Sequence, residues 1–292
     1  MTTNTDTIGP VELERLQGWV GRTETLADEV TAAPVCGLRA TLDLVTADVA
    51  EGMPLPPLWH WLYFLPRHRQ GELGSDGHAR RGDFLPPVPL PRRMWAGGEL
   101  QWHGGNPLRV GERVERVSTV ESVTRKEGSA GELVFVRVRH EIGNDRGLAL
   151  TEHHDIVYRG AARPGESAAP VVPVGRPAAW DREIVPDPVL LFRYSALTFN
   201  GHRIHYDRSY VTGTEGYPGL IVHGPLLATL LLDLLHRHRS AAEVSRFEFR
   251  ALRPLFDIHP FRLKGQPDDR SPQVNLWVED HESEHEEVLA LG

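Results

Sequence analysis

The segment GPLLATLLLDLLHRHR, residues 224–239, constrains this fold more than any other stretch. As a helix rising 1.5 Å per residue it would be roughly 24 Å long. Its leucines, from Leu226 to Leu235, leave almost no polar face for three turns, so other structure must wrap it. Pro225 suits a first helical turn, and His236, Arg237, His238 and Arg239 suit the negative end of the helix dipole. At the start, Gly224 lets a ligand approach the unpaired N–H groups closely. Two readings of His223–Gly224 stay open: a plain cap on a core helix, or a seat for a developing oxyanion.

Composition narrows the class. The chain has 292 residues, 40% of them hydrophobic and 25% charged, as a water-soluble globular protein would. No run approaches the roughly 20 apolar residues of a bilayer span, and no basic start leads into an apolar core, so a cytoplasmic protein is expected. A net charge of -8 supplies no basic field for nucleic acid. The single cysteine, Cys36, excludes an intramolecular disulfide and a cysteine zinc cluster, and is expected to be a small buried residue.

An Ala-, Pro- and Gly-rich linker over 161–185 divides the chain into halves, 1–160 and 186–292. In the second half the long helix precedes strands near 244–252, 260–264 and 274–279, the first with the alternation of a half-exposed strand. In the first half a helix near 11–20 and a buried helix over 57–65 precede strands at 113–124, 133–142 and 149–158, the last two forming a hairpin. Helix followed by antiparallel strands, twice over, is an α+β pattern that favours duplication.

The loop ahead of the long helix concentrates the chemistry. Asn200, His202, His205 and Asp207 fall in one loop that alternates after the Asn200–Gly201 turn, so His205 and Asp207 would share one side if the segment is extended. His205 titrates near neutral pH and suits proton transfer, whereas Asn200 can only orient water or substrate. The histidines lack the i, i+4 spacing of a zinc helix, and no metal is expected. Arg246, Arg250 and Arg253 are candidates for CoA phosphates, or equally a solvated strand face. Arg92 and Arg93 are candidates for a substrate carboxylate.

These residues carry a resemblance. FNGHRIHYD (199–207) and GYPGLIVHGPL (216–226) resemble the MaoC-like, or hydratase-2, family of double hot-dog enoyl-thioester hydratases. They are most similar to the branch of mesaconyl-C4-CoA and itaconyl-CoA hydratases and mitochondrial 3-hydroxyacyl-thioester dehydratase. The likeness extends to residues 57–66, 92–98, Pro107–Leu108 and Gly111. It implies two antiparallel sheets, each wrapped round a long central helix, with chemistry in the C-terminal half and the first half shaping the substrate tunnel. It implies Asn200, His205 and Gly224 as catalytic residues, with His202, Asp207, His223 and Tyr194 in support. The acidic position of the motif is Asn200 here, so His205 would handle the proton alone or with Asp207. No cofactor is implied beyond the acyl-CoA or acyl carrier protein substrate, and a homodimer is expected. A hot-dog thioesterase or a non-catalytic acyl-thioester binder are the other classes such a chain could join.

Overall fold

In the computed structural model the described residues are 8–44, 48–128, 131–160 and 177–280, with the backbone of 285–290. The first half runs α1 (Pro10–Gln17), β1 (Thr23–Glu29), α2 (Ala32–Thr41), β2 (Arg92–Trp102), β3 (Arg113–Gly128), β4 (Gly131–Asn144) and β5 (Gly147–Arg159). The second runs β6 (Trp180–Ile184), α3 (Pro188–Leu197), α4 (Arg208–Gly213), α5 (Gly224–His238), β7 (Arg246–Arg250), β8 (Phe261–Pro267), β9 (Val274–Asp280) and β10 (His285–Ala290).

Duplication is written in the strand order, β1-β3-β4-β5-β2 followed by β7-β10-β9-β8-β6. Numbered within its own half, each side reads 1-3-4-5-2 from edge to seam. The two antiparallel sheets meet edge to edge where β2 pairs β7, Gly97 opposite Arg250 and Gln101 opposite Arg246, giving one ten-stranded sheet. Glycines permit that seam: a Cβ on Gly97 would stand 2.6 Å from the Phe249 carbonyl oxygen, and one on Gly98 2.6 Å from that of His153. The β4–β5 hairpin closes from Asn144 to Gly147, whose φ of 108° only glycine adopts freely.

The long helix forms as expected. α5 buries nearly every side chain from Leu226 to Leu235, and a single apolar cluster joins it to Phe247, Leu263 and Leu276 of its own sheet and to α2. A smaller cluster under α1, built on Ile8, Leu16, Val136 and Tyr158, closes the far end of the first sheet.

Four expectations need correction. The helix of the first half is the short α2, whereas 57–65 makes only a 3-10 turn, Trp59–Leu62. Prolines at 56, 57 and 66 bracket that run, and Leu58 and Phe64 sit at φ 70° and 54°, outside any helix. Within the expected linker, Trp180–Ile184 is the edge strand β6, paired with β8; residues 161–176 lie outside the described residues. Cys36 is exposed on α2, not buried.

Candidate active site

After α3 the chain turns through Phe199, at φ 49°, and the Asn200 N–H donates to the Ser195 carbonyl at 2.8 Å. Asn200 Oδ1 accepts the His202 N–H at 3.0 Å, so its side chain braces its own loop, and its amide NH2 has no protein acceptor among the described residues. Arg203–His205 is a 3-10 turn rather than a strand. His205 and Asp207 therefore do not share a side. Asp207 is the N-cap of α4, accepting the Tyr210 N–H at 3.0 Å and Arg203 Nη2 at 2.8 Å. It does not orient His205, because helix capping and a guanidinium already take its oxygens.

The partner of His205 is main chain. Its Nδ1 donates to the Ile221 carbonyl at 2.7 Å, which leaves Nε2 as an acceptor. The ring is 8% exposed, and burial pushes its pKa down to about 4, so it is a neutral base at physiological pH. His223 stacks on it with centroids 3.7 Å apart, its Nε2 2.8 Å from Ser195 Oγ and Tyr194 against its edge at 5.1 Å. Burial holds His223 neutral too, so the pair is packing rather than two charges. One residue on, Gly224 opens α5, and its N–H has no protein acceptor among the described residues. A Cβ there would stand 3.0 Å from the Trp95 indole. Gly224 and Trp95 line the same cavity as His205.

That cavity, of about 2060 Å³, is walled by both halves. A loop of the first half clamps the 200–207 loop: the Asp76 carbonyl accepts the Arg203 N–H at 2.9 Å, and Ser75 O accepts Arg203 Nη1 at 3.0 Å. It brings His78, bonded to Asp76 at 3.2 Å, against His202, the ring centroids 3.8 Å apart and the planes tilted by 37°. Burial lowers the pKa of both imidazoles; it opposes ionisation of Asp76, yet the His78 hydrogen bond holds that carboxyl well below its ordinary range. Donor atoms of Asp76, His78 and His202 lie within 4.8 Å of one another and could hold a metal ion. Asp76 and His78 already satisfy each other, and we read the group as a polar clamp.

The arginines divide. Arg92 lines the cavity but is taken by Glu215, through its carbonyl at 3.1 Å and carboxylate at 3.7 Å. Arg253 also lines it and pairs with Asp280 at 3.0 Å. Arg246 and Arg250 instead occupy the outer face of β7, Arg246 paired with Glu99 at 3.0 Å, so the three do not form one group. Arg93 lines the cavity with no carboxylate partner among the described residues.

The sequence reading missed a second buried group. Glu152 accepts from His60 Nε2 at 3.0 Å and Trp61 Nε1 at 3.1 Å, and His140 Nδ1 meets Ser118 Oγ at 2.7 Å. The signal was present: inward positions 150, 152, 154, 156 and 158 of β5 read Leu, Glu, His, Ile, Tyr.

Comparison with known proteins bears on the family and the fold. Residues 58–257 match the family profile of hydroxyacyl-thioester dehydratase type 2. The chain is 48% identical over 252 residues to mesaconyl-C(4)-CoA hydratase of Chloroflexus aurantiacus, covering 85% of this chain and 88% of that one. It is 29% identical to the mitochondrial hydroxyacyl-thioester dehydratase type 2 of Schizosaccharomyces pombe, covering 87% and 92%. Among solved structures, a MaoC-like dehydratase superposes with a TM-score of 0.64 at 15% identity, over 94% of this chain and 98% of that one. A Mycobacterium tuberculosis protein described as a double hotdog fold superposes with a TM-score of 0.55 at 14% identity, over 96% and 97%.

Proposed function

Because the chain belongs to the hydroxyacyl-thioester dehydratase type 2 family, we propose that it is a hydro-lyase adding water reversibly across the α,β double bond of an enoyl-CoA, with mesaconyl-C4-CoA as substrate and citramalyl-CoA as product. The observation that carries the reading is the His205 Nδ1 bond to Ile221, which leaves a basic Nε2 in a cavity shared with the free N–H of Gly224. Water, held by the Asn200 amide NH2, gives its proton to His205 Nε2 as its oxygen bonds to Cβ. The π pair moves toward the thioester, whose oxygen takes the charge at the start of α5, worth about 2.7 to 4 kcal/mol of barrier for one such donor. His205 then returns the proton to Cα, so H and OH add to the same face. His202, His223 and Tyr194 hold the base in place.

The 48% identity to a mesaconyl-C(4)-CoA hydratase supports a small dicarboxylic acyl group, with itaconyl-CoA the related candidate. The dehydratase relative supports a second reading, dehydration of a 3-hydroxyacyl group on CoA or acyl carrier protein. We further propose a cytoplasmic homodimer, to be checked by fractionation and light scattering; no helix among the described residues is long and apolar enough to cross a membrane.

Incubation with mesaconyl-C4-CoA, itaconyl-CoA and crotonyl-CoA, reading enoyl absorbance and thiol release together, tests the assignment. Enoyl loss without thiol is expected; thiol release would make the protein a thioesterase, and binding without either a non-catalytic acyl-thioester protein. His205→Ala should lower kcat by at least about 100-fold in a protein that still folds, as circular dichroism would show. Wild-type turnover in that variant would sink His205 as the base.

A further inference from the structure

The inward face of the first-half sheet carries a belt of polar side chains between its two apolar clusters. Val134, Val136 and Val138 on β4, with Ile156 and Tyr158 on β5, belong to the cluster under α1; Ile142 and Leu150 belong to the cluster around α5. Between them stand His140, Glu152 and His154, with Ser118 and Arg116 of β3 alongside in register. Such a belt across a core face is costly unless every member is satisfied.

The acid is fully held, and the two cations differ. Glu152, 5% exposed, is held by His60 and Trp61; burial opposes its charge, yet the His60 hydrogen bond brings its pKa down to about 2. Arg116 makes no hydrogen bond to protein among the described residues, and its nearest ion-pair partner, Glu24, is 3.9 Å away. Arg93 has the Tyr158 hydroxyl beside it and no carboxylate. By contrast Arg203, from the same cavity wall, holds Asp207 through two nitrogens. Arg116 thus has Glu152, Glu24 and Asp28 acting on it, whereas Arg93, in the cavity wall, has no carboxylate partner among the described residues and is the cation open to an anionic ligand.

Position says which anion. Arg93, opposite Tyr158 in the β2–β5 register and in the cavity wall, is near enough to act on His154 of the belt and on His78 and His202 beside the 200–207 loop. The Trp95 indole, 5.4 Å from His154, also touches the start of α5 at Gly224. In a fumaryl-type acyl group the second carboxyl carbon stands about 3.8 Å from the thioester carbon, the span of three bonds in a trans planar unit. Arg93 stands two residues before Trp95 on β2 and lines the same cavity as Gly224, so it is the cation on the wall beside a thioester seated there. We propose that Arg93, backed by Arg116 and His154, binds the free carboxylate of a dicarboxylic enoyl-CoA and so selects it over an uncharged acyl chain. The inference rests on the hydratase reading and gives the first half a recognition role.

The test compares mesaconyl-C4-CoA with its methyl ester, which removes only the charge, by kcat/KM and by calorimetric Kd. The wild-type protein should prefer the acid by about 100-fold. Arg93→Gln should abolish most of that ratio, Arg93→Lys should keep part of it, and Arg116→Gln should lower it less than Arg93→Gln. Equal treatment of acid and ester by the wild type, or variants that weaken both alike, would overturn the subsite. The two readings fail separately: a binding preference without turnover keeps the subsite and removes the hydratase, and turnover of acid and ester alike does the reverse. The wild-type comparison stands even where a variant does not fold.

Discussion

At the scale of single residues, a carbonyl decides what His205 is. Ile221 O fixes the Nδ1 tautomer and burial keeps the ring neutral, so the rate and the stability should part company in acid. Hydration should be level above about pH 5 and fall as pH drops through about 4, where Nε2 is protonated. Stability falls sooner. His205 and His140, with pKa values pushed by burial down to about 4 and about 3, refuse protons that the unfolded chain accepts below about 6.5. Their contribution is complete above that value and is lost on acidification by about 1.4 kcal/mol per pH unit for each. Urea midpoints at pH 7, 5.5 and 4.5, beside kcat at the same values, check both signs. His205 was legible because its residue type and neighbours advertise it. The work of Asp207 was not, although an aspartate just ahead of Arg208–Gly213 is an ordinary capping signal; strand alternation was the wrong period for a 3-10 turn.

At the scale of elements, α5 was readable in full because an all-round apolar helix has one solution, burial, and its proline and basic ends mark its limits. The 57–65 run was equally apolar, yet flanking prolines and two residues at positive φ turned it into a platform that places His60 and Trp61 on Glu152. Gly224 is where α5 meets the chemistry. In Gly224→Ala the new methyl would press the Trp95 ring at 3.0 Å, although alanine suits a helix better than glycine. Turnover should drop by up to about 100-fold through misplacement of the carbonyl seat, with little change in melting temperature. Steady-state kinetics and calorimetry on the same preparation measure the two effects.

For the whole molecule, the decisive contact is the seam between halves. β2 and β7 hold the two sheets in one register, and the cavity takes walls from both. Gly98→Val would drive a side chain against the His153 carbonyl and the Phe249 ring, at a cost of about 1–3 kcal/mol. Activity should fall further than stability, because the clamp of Asp76 and His78 on the catalytic loop depends on that register; a urea curve and an activity assay across the same series would show it. The sequence by itself determined the wrapped helix, the hairpin and the repeated run of strands, since all of these are set by periodicity, caps and residue chemistry within a few turns of chain. Only the tertiary structure decided that His78 packs on His202, that Glu152 is buried under His60, and that Arg93 stands in the cavity wall with no carboxylate partner among the described residues. Those contacts join residues far apart along the chain, and which of them form depends on how two half-sheets register against each other, a quantity that no local pattern encodes.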